Sequence, residues 1–262
     1  MIPKIIHYCW FGGNPEPLQV KKCIDSWKKY LPDYKIIRWD ESNYDIHKNK
    51  YMSDAYKEKK WAFVSDYCRL DVVYKYGGIY LDTDVEVVKS FDSLLHESIF
   101  CGFESRDPNC LNYTKSNNEI EYSVNLGLGY GAIKEHHIIK EILDLYENLS
   151  FYNKDGSLNL IACPRYQTMV LKKYGLIANN ETQRLDSFIA YSPEYFCPQS
   201  NVTDEMLYFT ENTYSIHHFT VSWASEKSLK IRNWKNILRK YMPYWLASKI
   251  VTLISKIISY DK

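Results

Sequence analysis

The sequence predicts an α/β fold in which a mostly parallel sheet is flanked by helices. Over the first 90 residues, short apolar runs alternate with segments of helical period, in the order strand, helix, strand, helix, strand. This alternation indicates a parallel sheet, because two parallel strands need a helix-sized connection. A chain of 262 residues is long enough for one sizeable core with appendages, which we prefer to two small domains.

The first elements follow from short patterns. The apolar run at 4–13 predicts a strand that ends in a glycine pair. Apolar residues then recur at helical spacing until Pro32, which ends the helix. A second strand is predicted at 34–40. The segment 60–78 predicts a helix that ends at its glycines, and 79–88 predicts the next strand.

The later elements are spaced more widely. Residues 41–59 are polar and show no clear period, and 106–123 are predicted as a loop. The remaining patterns predict strands at 98–105 and 213–223, a glycine-rich segment at 125–133, and helices at 136–149 and 164–175.

Two aspartates, Asp82 and Asp84, follow the apolar residues of the predicted strand 79–88. If the strand continues through them, their side chains point to the same side, at the edge where parallel sheets bind ligands. Two close carboxylates repel unless a cation lies between them, and hard divalent cations take oxygen ligands. The pattern predicts a cation that holds a diphosphate. A solvated pair of carboxylates is the alternative.

Charge is concentrated at the C-terminus. Residues 227–262 contain nine Lys or Arg and one acidic residue, although the whole chain has a net charge of +1. Apolar residues recur there at helical spacing, so an amphipathic helical tail on an anionic membrane surface is predicted. Packing of this helix on the domain, or at an oligomer interface, is the alternative. Nucleic acid is not an expected partner, because basic charge is confined to the tail.

The cysteine content and the N-terminal sequence are evidence on the cellular compartment of the protein. The seven cysteines are odd in number and form no CxxC pair, so neither a disulfide framework nor a zinc site is predicted. The sequence has no signal-peptide pattern and no apolar stretch of spanning length. We expect a cytoplasmic protein, peripheral on the inner face of the cell membrane, with a main domain at 1–226 and the basic segment at 227–262.

The segment "SDYCRLDVVYKYGGIYLDTDV" at 65–85 resembles the signature of glycosyltransferase family 32, and the likeness spans about residues 2–105. That family shares a DXD-containing sugar-binding region among bacterial capsule and lipopolysaccharide transferases and yeast Golgi mannosyltransferases, and the clostridial glucosylating toxins share its core. The features that carry the resemblance are, in order, Asp66, Arg69, Gly77-Gly78, Asp82 and Asp84. The resemblance implies a Rossmann-like fold of the GT-A type.

The resemblance also implies roles in binding a nucleotide-sugar donor. Trp10 would stack on the base, and Asn125 would lie beside the sugar. Asp66 would accept hydrogen bonds from sugar hydroxyls, and Arg69 would reach the sugar or the diphosphate. Asp82 would contact the ribose or sugar. From spacing alone, Asp66 and Arg69 could also form a simple ion pair one helical turn apart.

A metal site is implied by the same resemblance. Asp84 would bind Mn²⁺ or Mg²⁺ directly, and Asp82 would support the metal through water. In "SIHHFTVSW" we expect His218 to be a further metal ligand, with His217 on the other face. An imidazole ligand favours manganese. Asp66, Arg69, Asp82 and Asp84 together are the predicted catalytic residues.

Two further residues and one departure complete the implied site. Ser222 and Trp223 would bind the metal or the β-phosphate. Cys163 stands where many members of the family have glycine, so no role is assigned to it. The implied reaction is transfer of a sugar, with retention, from a UDP-linked donor to a glycan or lipid-linked oligosaccharide of a capsule or lipopolysaccharide.

Two other classes of protein are alternatives to the transferase. A nucleotidyl- or phosphotransferase predicts a phosphate loop, and the sequence contains no GxxxxGK[ST]. A non-catalytic carbohydrate-binding module would use Asp82 and Asp84 to hold calcium. It would bind glycans and leave nucleotide sugars intact.

Overall fold

The computed structural model describes residues 1–104, 122–200 and 206–220, together with scattered positions between 234 and 251. The strands in these residues are β1 Ile5–Cys9, β2 Lys35–Trp39, β3 Gly78–Tyr80, β4 Val85–Val87, β5 Ile99–Gly102, β6 Tyr130–Ala132, β7 Gln183–Arg184, β8 Ile189–Tyr191 and β9 Ser215–His217. The helices are α1 Leu18–Tyr30, α2 Lys50–Lys57, α3 Trp61–Tyr76, α4 His137–Glu147, α5 Cys163–Lys173 and α6 Pro193–Phe196, with a 3₁₀ turn at Asp92–Leu94.

A seven-stranded sheet forms the centre, in the order β2-β1-β3-β6-β5-β8-β7. Strand β1 pairs in parallel with β2 and β3, and β5 pairs in parallel with β8. Strands β6 and β7 run antiparallel to their neighbours. The other five strands therefore share one direction, which confirms the predicted α/β class and the mostly parallel sheet of a Rossmann-like, GT-A type fold.

Hydrophobic side chains cover both faces of the sheet, so the fold has three layers. Helices α2, α3, α4 and α5 pack on one face, around fully buried residues such as Tyr51 and Ile142. Helices α1 and α6 pack on the other face, where Trp27 is fully buried. Neighbouring residues of β3 divide between the layers, Ile79 on one side and Tyr80 on the other, as alternation along a strand requires.

Helix α1 is fixed to the structure by Trp27. The indole has no exposed surface, and its Nε1 donates a hydrogen bond of 2.7 Å to the carbonyl oxygen of Val85. Burial of a large aromatic side chain contributes on the order of 3 kcal/mol, and the bond satisfies its polar handle. Val85 begins β4 directly after Asp84, so α1 helps to hold the chain that follows the two aspartates.

A buried histidine joins β1, β2 and the end of α3. His7 accepts a hydrogen bond at Nδ1 from Nε1 of Trp39 (3.1 Å) and donates from Nε2 to the carbonyl oxygen of Gly77 (2.9 Å). The ring is therefore neutral, and burial lowers the pKa of His7 to about 4. Gly77 has φ +66°, which glycine adopts readily, so α3 turns directly into β3.

The predicted strand 79–88 is divided by a turn. After β3 the chain leaves the central sheet, and β4 begins at Val85 in a second sheet with β9. Asp82 and Asp84 lie in the turn, where the amide of Val85 donates to the carbonyl oxygen of Asp82 (3.0 Å). The expectation that both aspartates continue one strand is therefore wrong. The chain departs because β9 gives β4 a partner outside the central sheet.

Five short helices and strands are not predicted by the sequence: α2, β6, β7, β8 and α6. Helix α2 lies within the polar segment 41–59, and the side chain of Asn49 caps it by accepting a hydrogen bond from the amide of Met52 (3.1 Å). The helix has only eight residues, too few for its buried face to show a clear period. Strands of two or three residues, such as β7 and β8, carry no periodicity at all.

The C-terminal segment 227–262 lies outside the described residues except at scattered positions, so the predicted tail is not described as a unit. Among those positions Trp234 and Tyr241 are exposed, whereas Val251 is 2% exposed. No helix in the described part of the chain is long and apolar enough to cross a membrane. The predicted loop 106–123 falls almost wholly outside the described residues. The described cysteines are free and buried.

Candidate functional site

One edge of the central sheet collects most of the predicted site residues. Trp10 directly follows β1, the turn with Asp82 and Asp84 follows β3, and Asn125 precedes the antiparallel strand β6. Ligands of α/β sheets bind at this edge, beyond the carboxyl ends of the parallel strands. The strand order therefore brings together residues that are far apart in the chain.

Asp82, Asp84 and His217 form a cluster in which one ligand atom from each residue lies within 4.8 Å of the others. Nε2 of His217 lies 3.3 Å from Oδ1 of Asp84 and 3.7 Å from Oδ2 of Asp82. Burial opposes protonation of the ring, but the carboxylates of Asp84 and Asp82 outweigh it and raise the pKa of His217. The two carboxylates thus attract positive charge to the point between them.

The donor atoms of this cluster fit a divalent cation. Two carboxylate oxygens are ligands for Mg²⁺ or Mn²⁺, and the imidazole nitrogen favours Mn²⁺. Burial raises the pKa of Asp84, although His217 opposes the rise. Burial would also raise the pKa of Asp82, but Arg69, His217 and Tyr80 together outweigh it and hold that pKa below its usual value. A cation bound at Nε2 of His217 would compete with a proton for that nitrogen.

The structure places His217, and not His218, beside the two aspartates. In the pairing of β9 with β4, His217 lies opposite Val85, and His218 follows the last residue of the strand. Adjacent residues of a strand point to opposite sides. His218 accordingly turns away, and its Nε2 lies 2.8 Å from Oε2 of Glu86. The prediction that His218 faces the metal and His217 turns away was wrong. The choice between the two histidines depends on the register of β9 against β4, which the local sequence does not reveal.

Arg69 is a buried cation next to the cluster. Its Nη2 lies 3.1 Å from Oδ1 of Asp66 and 3.3 Å from Oδ1 of Asp82. The guanidinium lies over the ring of Tyr80, 4.9 Å from its centroid. Helix α3 presents Asp66 and Arg69 one turn apart, as their spacing predicts. The ion pair expected from spacing is present, and it also joins the aspartate turn.

Asp66 lies in the same buried group, together with a residue that the sequence left without a role. Burial raises the pKa of Asp66 to about 6, although Arg69 and a hydrogen bond with Cys163 favour the carboxylate. Sγ of Cys163, at the start of α5, also lies 4.0 Å from Nη1 of Arg69. A carboxyl group with a pKa near neutrality exchanges hydrogen bonds with substrate hydroxyls readily.

The segment before β6 lies directly against these side chains because of a glycine. A Cβ at Gly127 would lie 2.2 Å from Oδ2 of Asp82 and 2.9 Å from Nη1 of Arg69. Oδ1 of Asn125 accepts a hydrogen bond from the amide of Gly127 (2.7 Å), and Nδ2 donates to Oε2 of Glu104 (2.9 Å). Asn125 therefore lies at the site, and its hydrogen bond with Glu104 places that residue next to the site as well. The signal for Glu104 was its place at the end of the predicted strand 98–105.

Trp10 lies at the far side of this edge. Its Nε1 donates a hydrogen bond of 2.6 Å to the carbonyl oxygen of Asn14, and the residue is partly exposed. An indole at such a position is suited to stacking on a planar ring. Ser222 and Trp223 lie outside the described residues, so their expected contacts with a metal or phosphate stay predictions.

Comparison with known protein families gives a match over the part of the chain that contains α3 and the aspartate turn. Residues 17–101 match the family described as "Glycosyltransferase sugar-binding region containing DXD motif". This range contains Asp66, Arg69 and the turn with Asp82 and Asp84, which supplies the DXD pattern.

Curated relatives match over about 100 residues. A Schizosaccharomyces pombe protein named inositol phosphoceramide mannosyltransferase 3 is 38% identical over 106 residues, 36% of this chain and 28% of the yeast protein. A Saccharomyces cerevisiae protein named mannosyl phosphorylinositol ceramide synthase SUR1 is 34% identical over 102 residues, 36% of this chain and 26% of that protein. The match spans about a quarter of the length of these relatives.

A solved structure named PaToxG Glycosyltransferase aligns with a TM-score of 0.49 and 25% sequence identity, over 66% of this chain and 69% of that chain. The match to the family covers residues 17–101, which include the DXD residues and the helix α3 that carries Asp66 and Arg69. Within residues 17–101 the chain is similar to the glycosyltransferases that share this DXD-containing sugar-binding region.

Proposed function

We propose that the chain is a metal-dependent enzyme that transfers a hexose, with retention, from a nucleoside diphosphate sugar to a hydroxyl group. The observation that carries the proposal is the cluster of Asp82, Asp84 and His217 next to Arg69, at the ligand-binding edge of the sheet. Three cation ligands beside a buried guanidinium suit a diphosphate, which spreads negative charge over several oxygens.

The cation proposed for this cluster is Mn²⁺, or alternatively Mg²⁺. When bound, it would offset the charge that develops on the diphosphate as the bond to the sugar breaks. Arg69 would donate hydrogen bonds to the same diphosphate or to the sugar. Asp66 and Asp82 hold its guanidinium before any substrate binds, so little reorganisation is needed when charge develops.

The remaining donor contacts follow the edge of the sheet. Trp10 is proposed to stack on the nucleobase, an interaction of roughly 1–3 kcal/mol. Asp66 would accept hydrogen bonds from sugar hydroxyls, and Asn125 would lie beside the sugar. Gly127 lets the backbone approach that sugar closely. Ser222 and Trp223 are kept as proposed contacts of the metal or the β-phosphate.

The names of the relatives support a narrower choice of substrates. Both curated relatives are named for a mannosyl group and a phosphorylated inositol ceramide. Mannose is therefore the first sugar to test, and an acceptor carried on a lipid is favoured. Uridine is proposed as the nucleotide, with guanosine as the competing choice, and the setting proposed is the synthesis of a capsule or lipopolysaccharide.

The test is a screen of UDP- and GDP-sugars for hydrolysis with and without Mn²⁺. We expect slow, Mn²⁺-dependent hydrolysis of one donor, and no such activity in Asp84→Ala with the fold intact. If no donor is bound or hydrolysed, the proposal is wrong. Binding of calcium and glycans without turnover would instead favour the carbohydrate-binding module.

We also propose a division of the chain between catalysis and location. Residues 1–226 would form the transferase domain, and the basic segment 227–262 would hold it on the cytoplasmic face of the cell membrane. The nine Lys and Arg residues of that segment support the proposal, since anionic lipids attract such clusters.

A further inference from the structure

Two buried side chains of helix α5 hold the backbone on either side of Asn125. The amide of Val124 donates a hydrogen bond of 2.9 Å to Oγ1 of Thr168. The amide of Leu126 donates one of 3.0 Å to Oε1 of Gln167. Side chains of α5 therefore accept the two amides that flank Asn125.

The sheet holds the same segment from the opposite side. The amide of Asn125 donates a hydrogen bond of 3.0 Å to the carbonyl oxygen of Gly102, the last residue of β5. Amides of neighbouring residues in an extended chain point to opposite sides, so the two flanking amides face away from β5. Strand β6 begins only at Tyr130. The segment before it is thus fastened between the end of β5 and helix α5.

Gln167 uses only one of its two polar groups. The residue has no exposed surface, and its buried Nε2 has no hydrogen-bond partner among the described residues. A buried polar group without a partner lowers stability, so an apolar side chain would suit this place better if it served packing alone. The bond from the amide of Leu126 to Oε1 is the contact that an apolar residue could not make.

The segment held in this way reaches the centre of the site within two residues. Oδ1 of Asn125 accepts a hydrogen bond of 2.7 Å from the amide of Gly127. The carbonyl oxygen of Gly127 accepts one of 3.2 Å from the amide of Asp82. A Cβ at Gly127 would lie 2.9 Å from Nη1 of Arg69. The position of Leu126 therefore decides how Asn125 and Gly127 lie against the ionic cluster.

Helix α5 also contacts that cluster directly. Cys163 lies four residues before Gln167, so the two side chains share one face of the helix. Sγ of Cys163 lies 4.0 Å from Nη1 of Arg69. One face of α5 thus meets both the guanidinium and the segment that carries Asn125, and it fixes their separation.

We infer that Gln167 is a positioning residue for the sugar of the donor. Its Oε1 holds Leu126, and Leu126 in turn fixes Asn125 and Gly127 beside the sugar. Gln167 is fully buried, so it acts through this segment. The inference rests on the proposed function, because it presupposes a nucleotide sugar whose sugar lies beside Asn125.

The test compares Gln167→Leu with the wild type. Leucine accepts no hydrogen bond, but it also removes the unpartnered Nε2, so one unpartnered group replaces another. We expect the melting temperature to change by no more than about 3 °C. The Kd of the UDP- or GDP-sugar that the wild type hydrolyses, measured by calorimetry with Mn²⁺, should rise by about 10-fold, and kcat should fall by at least as much.

The nucleoside diphosphate without its sugar separates positioning from general damage. Its Kd in Gln167→Leu should stay within about threefold of the wild-type value, because it lacks the group that the segment holds. A second pair of variants tests the other fastening. Thr168→Val should weaken binding of the complete donor in the same selective way, whereas Thr168→Ser, which keeps the hydroxyl, should bind it like the wild type.

Gln183→Leu is the matched control. Gln183 also accepts a backbone amide of a loop, that of Ile177 (2.9 Å), but it lies on β7, the edge strand of the sheet. Its Nε2 donates to the carbonyl oxygen of Ile177 (2.7 Å), so both polar groups are in use. This variant should have a lower melting temperature and unchanged donor Kd and kcat per folded molecule.

Two results would overturn the role of Gln167. One is an unchanged donor Kd and kcat in Gln167→Leu. The other is an equal loss for the nucleoside diphosphate and the complete donor, or a loss that follows the melting temperature, either of which would assign Gln167 to the fold. Both leave the proposed function intact, because the wild type still hydrolyses its donor. Failure of the wild type to bind or hydrolyse any nucleotide sugar would remove the proposed function itself, and the role of Gln167 with it.

Discussion

His217 and His218 are adjacent in the chain, but the fold gives them different partners, so they form a matched pair for testing the cation site. His217 faces Asp82 and Asp84, whereas His218 pairs with Glu86. We expect His217→Ala to raise the Mn²⁺ concentration for half-maximal donor hydrolysis by roughly 10-fold or more, because loss of even an outer-shell partner of a metal lowers affinity by about 10- to 100-fold. His218→Ala should change it by less than about twofold. Equal effects in both variants would contradict the assignment of His217.

Asp66 makes the stability of the folded protein depend on pH. Because burial raises its pKa to about 6, the folded protein binds more protons than the unfolded protein between about pH 4 and pH 6, and stability is lost as the pH rises through this window. Asp66→Asn resembles the protonated carboxyl. We expect it to be more stable than the wild type at pH 7–8 by about 2 kcal/mol and similar to it below pH 4, with reduced donor hydrolysis.

The measurement for Asp66 is urea unfolding of the metal-free protein between pH 4 and pH 8. The test depends on whether the free energy of unfolding of Asp66→Asn is larger or smaller than that of the wild type. If Asp66→Asn is less stable at every pH, the ion pair with Arg69 dominates, and Asp66 is mainly a structural residue.

At the level of elements, the segment before β6 sets how closely the backbone approaches the aspartates. We expect Gly127→Ala to lower donor hydrolysis by about 10-fold or more, because the new Cβ would lie 2.2 Å from Oδ2 of Asp82 and push it away from the cation. Gly175→Ala is the control. A Cβ at Gly175 would contact only Cδ2 of Leu185, at an ordinary distance of 3.7 Å. The φ of +92° at this position strains alanine, at a cost of about 1 kcal/mol.

The two glycine variants should differ in which property they lose, donor hydrolysis or thermal stability. Gly127→Ala should lose activity with a modest change in melting temperature, since the displaced atoms are ends of side chains. Gly175→Ala should have a lower melting temperature than the wild type but the same activity per folded molecule. Full activity in Gly127→Ala would mean that Asp82 moves without consequence and is not a metal ligand.

Elements differ in how far their sequence predicts them. Helices α1, α3, α4 and α5 were predicted within a few residues, because each buries a face that repeats at helical spacing. The break between β3 and β4 was not predictable, since it depends on β9, which lies far along the chain. The site divides in the same way. Asp66, Arg69, Asp82 and Asp84 lie in one local motif, whereas His217 and Glu104 reach the site through strand register and sheet order.

At the scale of the whole molecule, charge is divided along the chain. Residues 227–262 hold nine of the 33 basic residues and one of the 32 acidic residues, so the rest of the chain carries a net negative charge. Each Lys or Arg near an anionic membrane contributes about 1 kcal/mol to binding. Because Val251 is buried, removing the segment also risks losing packing. Substitution of charges is therefore a cleaner test of membrane binding than truncation.

We expect the triple substitution of Lys227, Lys230 and Lys235 by serine to weaken binding to phosphatidylserine vesicles by about 10-fold or more at low salt. Binding should weaken further as salt is added, because screening acts on exposed charges. Donor hydrolysis in solution should be unchanged, since none of the three lysines is a residue of the candidate site. The matched control replaces three exposed lysines of α1 with serine, namely Lys21, Lys22 and Lys29. If both triple variants lose binding equally, attraction depends on net charge alone. In that case the C-terminal segment has no special role at the membrane.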